Sequence, residues 1–327
     1  MNRALNNLNT FLEKYDNFII STHESPDGDG LGAEIAFHHL LKHLGKNSII
    51  LNSDPTPDLF EFIDADNEIQ TYHESFTLPP NIDEYAIFVL DTNDFNNIGS
   101  LYPLLKDHMR EVLVIDHHEG DKDKIESNFI KVEASSASEI VYSLLRHYEV
   151  EINLKVAKAL YAGILYDTGS FRYPKTSPET FRAIAHLVEI GANPFSIYEH
   201  IYENNTLESF KLKSLMLSAM EVHFGGKLIL MKLTPEMLRK TGAHYTDGEL
   251  NINIPHTVKG VIASVLIKQN IGGPVKVSLR TKGDYDVAAI AIANGGGGHK
   301  NAAGYKSKLP FEETCKKAIR DMEPFFT

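Results

Sequence analysis

Four short segments gather the side chains that can hold a cation or move a proton. They are His23, Asp27 and Asp29 in HESPDGDG, Asp91 in VLDTN, Asp116, His117 and His118 in IDHHE, and Asp167 in YAGILYDTGSF. Aspartate and histidine suit a divalent ion of the Mn²⁺ type, and this many carboxylates suits two ions sharing a bridging group. No thiolate accompanies them, which argues against a structural zinc site, and the single cysteine, Cys315, can form no internal disulfide. Taken singly, an aspartate after a strand reads first as a turn former or helix cap. Pro-Asp-Gly is a common turn, and Asp29 could cap a helix beginning near Leu31. The spacing His23-x-x-Pro-Asp27-x-Asp29 is harder to set aside, because one tight loop then offers three ligands. Adjacent His117 and His118 cannot point the same way in an extended segment, so one would face metal and the other substrate.

A fifth segment has different chemistry. In GGGGHKNAAG (295–304), four glycines permit positive φ and close backbone approach, so successive N–H groups could turn toward one anion. His299 and Lys300 follow directly. A glycine run is more often a flexible loop, and Arg280, at the end of VKVSLRT, reads by itself as a solvated strand arginine. The flanking segments make a credible phosphate site of Gly296, Gly297, Gly298 and His299.

The elements that must position these groups follow from hydrophobic pattern. NFIIST (17–22), NSIILNS (47–53), YAIFVLD (85–91) and EVLVID (111–116) read as buried strands, and between the first two Phe37, Leu40, Leu41 and Leu44 keep helical spacing up to Gly45. Strands alternating with helices predict an α/β fold with a mostly parallel sheet flanked by helices. Three of these strands finish on or just before a candidate ligand, and ligands bind outside the carboxyl ends of strands in such sheets. Helices are predicted near 137–149, 154–167 and 177–191, the first opened by Ser136-Ala-Ser-Glu139 with capping-box spacing. A second, smaller α/β domain across a cleft is expected from KLILMKL, VIASVLIKQ, VKVSLRT and DVAAIAIAN. The boundaries read as 1–195 for the metal-holding domain, 196–222 for a connecting helix and 223–327 for the smaller domain.

Charge narrows the function. The 327 residues carry a net charge of −12, which disfavours a protein that grips long nucleic acid through a basic stripe. Residues 1–195 hold 15 basic and 31 acidic side chains, whereas residues 196–327 hold 17 and 13. An acidic half suited to cations joins a mildly basic half suited to an anion. No run of eighteen apolar residues occurs, and the polar N-terminus lacks the pattern of a signal peptide, so a cytoplasmic protein without a membrane span is expected.

HESPDGDG, VLDTN, IDHHE and YAGILYDTGSF resemble, in order, the four motifs of the DHH phosphoesterase superfamily. GGGGHKNAAG with VKVSLR resembles the signature of the DHH-associated C-terminal domain. That resemblance, not the residues alone, adds Arg280 to the phosphate site. The resemblance covers nearly the whole chain, and its two-domain layout is similar to the nanoRNase and pAp phosphatase group, which degrades very short RNAs and dephosphorylates 3′-phosphoadenosine 5′-phosphate. It implies one Mn²⁺ held by His23, Asp27 and Asp91 and a second by Asp29, Asp91, His117 and Asp167, with Mg²⁺ or Co²⁺ as alternatives. It implies catalytic roles for Asp91 as the bridge, Asp116 as a partner behind the ligands and His118 against the scissile phosphate. Two such ions would acidify a water for attack on phosphorus. The implied partner is a short RNA of about two to five nucleotides or a small nucleotide, since one glycine nest, one arginine and two ions hold few phosphates. Long DNA is not expected, and a homodimer is left open. Cyclic-dinucleotide turnover and a non-catalytic nucleotide-binding regulator stand as the alternatives.

Overall fold

A computed structural model describes residues 2–73, 75–79, 81–106, 111–118 and 128–326, with the backbone only at 2, 249, 250 and 299. The chain divides into two compact units, Met1–Asn204 and Asn205–Thr327.

In the first unit α1 (Asn2–Lys14) leads to β1 (Asn17–Ser21), α2 (Gly28–His43), β2 (Asn47–Asn52), β3 (Ile69–Thr71) and β4 (Tyr85–Leu90). Then come α3 (Leu101–Leu105), β5 (Val112–Asp116), β6 (Phe129–Ile130), α4 (Ala137–His147), α5 (Leu154–Asp167), α6 (Pro178–Ile190) and α7 (Pro194–Tyr202). The six strands run parallel in the order β3-β2-β1-β4-β5-β6. Four match the runs read from sequence; β3 and β6 were not anticipated, being three and two residues long. Alternation along β1 sends Phe18 and Ile20 to one core and Ile19 to the other, so both sheet faces are buried. Helix α2 is buried over most of its length, and it can approach α5 only because Gly32 has no side chain: a Cβ there would lie 2.4 Å from the Ala159 carbonyl oxygen. That contact carries the end of α5 toward the start of α2.

Two local expectations are corrected. Helix α2 begins at Gly28, not near Leu31, and its cap is Asp27, whose Oδ1 accepts the Asp29 and Gly30 N–H groups. At α4 only half a capping box forms. Ser136 Oγ accepts the Glu139 N–H, but the Glu139 carboxylate turns instead to the Ser135 and Thr180 hydroxyls. The reciprocal box occurs at α6, between Ser177 and Thr180.

The second unit opens with α8 (Leu207–Ser218) and continues through β7 (Glu221–His223), β8 (Leu228–Leu233), α9 (Pro235–Thr241), β9 (Ala263–Gln269) and β10 (Val275–Thr281). It closes with α10 (Val287–Ala293), β11 (Gly297–His299), β12 (Ala302–Ser307) and α11 (Phe311–Met322). Residues 196–222, read as one connecting helix, are thus two helices and a strand. Thr206 starts a new helix by accepting the Ser209 N–H, a stop and restart that a run without Gly or Pro conceals. The sheet order is β11-β12-β10-β9-β8-β7, with only β8 and β9 parallel. One face packs Leu230, Val265, Val277 and Leu279 against α10 and α11, including buried Cys315. On the other face, Leu266 and Met231 pack against α8, while Lys276, Ser278 and Arg280 of β10 remain half-exposed. Among the described residues no helix is long and apolar enough to cross a membrane.

Candidate functional site

In this strand order the chain reverses its direction of winding between β1 and β4, and a ligand crevice forms outside the carboxyl ends at such a point. His23, Asp27 and Asp29 follow β1, Asp91 follows β4 directly, and Asp116 ends β5 just before His117 and His118. Asp167 arrives from elsewhere, as the last residue of α5. All of these converge.

Asp91 is the centre of the arrangement. It is buried, and its carboxylate spans two histidines: Oδ2 lies 3.5 Å from His23 Nε2, and Oδ1 lies 3.5 Å from His117 Nε2. Asp27 Oδ1 stands 3.9 Å from His23 Nε2, while Asp167 Oδ2 and Asp29 Oδ2 stand 3.4 and 3.9 Å from His117 Nε2. These gaps are long for hydrogen bonds. They suit donors sharing an ion, since two atoms each ~2.1 Å from one cation lie about 3.0–3.5 Å apart. His23, Asp27 and Asp91 form one group of donors within 4.8 Å of one another, and Asp29, His117 and Asp167 form another. Among the described residues Asp91 Oδ1 and both His117 ring nitrogens are buried without a hydrogen-bond partner. Such orphaned atoms are costly unless something binds them. The donor set therefore fits hard or borderline divalent cations.

The backbone cooperates. Asp91 has φ +59°, a left-handed conformation that few non-glycine residues adopt. Ser25 in the first loop and Gly169, Ser170 and Phe171 after Asp167 are left-handed too. The last three are held by Thr168, whose hydroxyl accepts the Phe171 N–H at 3.0 Å and whose carbonyl accepts those of Arg172 and Tyr173. Partners behind the donors fix their orientation. Asp29 accepts the N–H groups of Ala137 and Ser138, at 2.6 and 2.8 Å, at the start of α4. His23 Nδ1 donates to the Glu24 carbonyl at 2.9 Å, which leaves Nε2 for the centre. Asp116 Oδ1 accepts the His117 N–H at 2.7 Å and the His118 Nδ1 proton at 2.8 Å.

His117 is buried among the carboxylates and His118 is 44% exposed, so the two do differ in environment. Their rings are nonetheless neighbours, 4.5 Å between centroids. Both residues lie beyond β5, where the alternation of an extended strand no longer applies.

Burial and crowded charge shift the proton affinities of the donors. Burial pushes the Asp29 carboxyl well up, assisted by Asp91 and Asp167, and burial raises Asp167 to about 6. Burial opposes protonation of His23 and His117, but Asp91 and the other carboxylates outweigh it and lift both to about 10. For Asp91 burial works upward, yet His117 and His23 hold it below the ordinary carboxylate range. Without cations, protons neutralise the cluster.

Several contributors escaped the sequence reading. Glu34 of α2 is fully buried, accepts the Asn52 amide at 2.8 Å and keeps Oε1 without a partner among the described residues. Asn52 Oδ1 in turn accepts the Thr22 N–H beside His23. An acidic residue inside the otherwise apolar stretch 31–37 of α2 was the available signal. Lys175 Nζ donates to the His117 carbonyl at 3.0 Å, a contact across 58 residues that no local pattern announces.

In the second unit the glycine run is not a loop with four convergent amides. Gly295 and Gly296 donate to the Ile292 and Ala291 carbonyls, closing α10, and Gly297–His299 pairs with β12 as an edge strand. Gly296 tolerates no side chain, since a Cβ would lie 2.1 Å from the Gly304 carbonyl oxygen, and Gly295 and Gly298 have positive φ. Lys300 is paired with Asp284. Arg280 donates to the Leu279 carbonyl at 3.0 Å, and the His299 side chain lies outside the described residues.

Comparison with known proteins identifies the family. Residues 17–164 match the DHH family, N-terminal domain, and residues 235–326 match the DHHA1 domain. A Thermus thermophilus protein named bifunctional oligoribonuclease and PAP phosphatase NrnA is 30% identical over 301 residues, spanning 92% of this chain and 87% of its own. The chain belongs to the DHH family. Family membership makes it a phosphoester hydrolase. A Bacillus subtilis DHH relative of the same name is 24% identical over 298 residues, 89% of each chain. The crystal structure of an exopolyphosphatase-related protein from Bacteroides fragilis superposes with a TM-score of 0.90 at 26% identity, covering 100% of this DHH chain and 97% of the other.

Proposed function

We propose that the chain is a divalent-metal-dependent phosphoesterase acting on short nucleotides, namely oligoribonucleotides of about two to five residues and 3′-phosphoadenosine 5′-phosphate. The observation that carries this reading is the Asp91 carboxylate, set with one oxygen toward each of two histidine-containing donor groups. In this reading His23, Asp27 and Asp91 hold one cation, and Asp29, Asp91, His117 and Asp167 hold the other, with Mn²⁺ preferred. Bound there, two such ions would acidify water and neutralise charge on the attacked phosphoryl group.

The chain's own residues supply the rest. Asp116 accepts a hydrogen bond from His118 Nδ1–H, which orients the ring and raises its proton affinity, so that Nε2 can also carry a proton. His118 is then assigned to the phosphoryl oxygens or to the leaving oxygen, as hydrogen-bond donor or general acid. Arg280, with the glycine backbone at Gly297 and Gly298 and with His299, is assigned to a phosphate of the substrate. Gly296 serves only by its lack of a side chain. The relatives named oligoribonuclease and PAP phosphatase support the substrate class.

The test is a panel of 3′-phosphoadenosine 5′-phosphate, di- to pentaribonucleotides and cyclic dinucleotides, each with Mn²⁺, Mg²⁺ or Co²⁺. Release of phosphate or mononucleotide from the linear substrates is expected, with Mn²⁺ most effective. Faster attack on cyclic dinucleotides, or tight binding without turnover under all three metals, would overturn the reading.

A further inference from the structure

Sheet register places three lysines in one row across the second unit. Lys276 of β10 stands directly opposite Lys268 of β9 on one side and Lys306 of β12 on the other. Opposed residues of antiparallel strands project from the same face, with Cβ atoms about 4.5–5.5 Å apart, and like charges so placed destabilise a sheet. Among the described residues neither Lys276 nor Lys306 has an acidic partner, although Lys232, Lys300 and Lys317 are each paired. The ammonium group of Lys276 lies 5.9 Å from the centroid of the Tyr245 ring, which seats it without cancelling its charge. A lysine where a strand lacks an outer neighbour can serve to repel other strands, and this would account for Lys306, which lies past the β11 pairing that ends at Gly304. It does not account for Lys276, on a strand paired on both sides.

The same face of β10 carries Arg280. Arg280, Ser278 and Lys276 alternate with buried residues, at about 6.7 Å per step. Successive phosphates of a nucleic-acid strand are joined through six single bonds, a reach of roughly 6–7 Å by ordinary bond lengths. Adjacent phosphates of inorganic polyphosphate share one oxygen and are far closer. Between the charged rows Ser278 faces Gly304, which in turn faces Gly297, so on the β12 side the middle row has little side-chain bulk, whereas on the β9 side Leu266 is buried in the core of that face.

We propose that Lys276 and Lys306 form a second phosphate subsite, two phosphates along the strand from the one held at Arg280. Its ligand is an oligoribonucleotide with at least three phosphates. The proposal rests on the assignment of Arg280 to a substrate phosphate. 3′-Phosphoadenosine 5′-phosphate and a 5′-phosphorylated dinucleotide have two phosphates each and cannot occupy both places.

The experiment measures equilibrium binding of 5′-phosphorylated di-, tri- and tetraribonucleotides to the full chain without added metal, at several salt concentrations. It compares wild type with Lys276→Gln, Lys306→Gln and the double variant. The double variant should lose about tenfold on tri- and tetranucleotides and less than about twofold on the dinucleotide, given typical charge-assisted contacts. Its tetranucleotide salt slope should fall by about 1.4, or 0.7 per lysine for single strands. Thermal stability should hold or rise, because like charges are removed. Equal loss at every length, no loss, or displacement of the tetranucleotide by inorganic polyphosphate at matched phosphate concentration would overturn the subsite. If wild type binds no ribonucleotide, the nucleotide reading falls with it; if wild type binds and hydrolyses them while the double variant keeps the length dependence, only the subsite falls.

Discussion

Six donors of the N-terminal unit crowd into a largely buried centre, whereas Arg280 and the glycine strand of the C-terminal unit stand on a half-exposed sheet face. The first unit holds 15 basic against 33 acidic side chains and the second 17 against 11. Left-handed residues at the loops around the donor cluster are mostly not glycine, as at Ser25, Asp91, Ser170 and Phe171, while in the glycine run they are Gly295 and Gly298. Holding cations asks a fold to bring like charges together, bury them and keep a backbone bent that would otherwise relax. Holding an anion asks only for donors laid out at strand spacing. The first arrangement depends on packing throughout its unit; the second depends on register.

The sharpest way to break this contrast is to change one central residue in each unit. Asp91→Asn should lower kcat by more than about a hundredfold, because one side chain faces both donor groups and removing a single preorganised group commonly costs that much. Metal titration should show loss at both sites. Near-normal turnover by metal-loaded Asp91→Asn would remove Asp91 from the centre. Arg280→Ala should instead raise KM about tenfold to a hundredfold with kcat largely kept, as for a lost charge-assisted phosphate contact. An equal fall in kcat would mean that the second unit takes part in chemistry.

Metal should also act on one unit alone. At a hundred times Kd, Mn²⁺ should add about 2.7 kcal/mol per ion, about 5.4 kcal/mol for two, to the stability of the first unit and nothing to the second. Differential scanning calorimetry with and without chelator checks this: one transition should move and the other should stay. A smaller effect concerns Glu34, whose carboxyl burial pushes well above the usual range. A neutral buried carboxyl makes Glu34→Gln nearly isosteric, so the change should cost less than about 1 kcal/mol in urea denaturation. A large loss would show a buried carboxylate anion beside the metal loop.

The smallest expected effect is a pH dependence confined to the second unit. Burial, aided by Lys282 and Arg280, lowers His256 to about 4 from the ordinary value of about 6.5. Between those values the unfolded chain binds a proton that the folded unit does not. Stability of this unit should therefore fall, on the order of 1 kcal/mol, as pH drops from about 6.5 toward 4, with no contribution above 6.5. His256→Gln should flatten that slope in denaturant titrations, and an unchanged slope would assign it elsewhere.

Sequence pattern exposed the metal side better than the anion side. Aspartates and histidines placed just after apolar strand runs are a local signal, and parallel topology then forces them together. The partners behind them were hidden by distance, since Asp29 is held by amides 108 and 109 residues away. Strands β3 and β6 are too short to show a period. The glycine run misled for a different reason: composition announces freedom of φ, but only the pairing with β12 and the closing of α10 decide which amides remain. The lysine row was invisible before register was known, because its members are separated by 8 and 30 positions.

The backbone of Asp91 has a consequence for how such a chain can drift. The position needs a left-handed conformation and a short carboxylate together. Glycine meets the first need but brings no oxygen, and glutamate brings the oxygen on a longer stem with a poorer fit to that conformation. Asparagine meets the backbone need and matches the shape, losing only the charge. A single base change in the aspartate codon thus yields a descendant that keeps its architecture and the strand proposed to hold phosphate while giving up the chemistry proposed for Asp91. The easiest mutational exit from catalysis at this position leads to a folded nucleotide-binding protein rather than to a broken one.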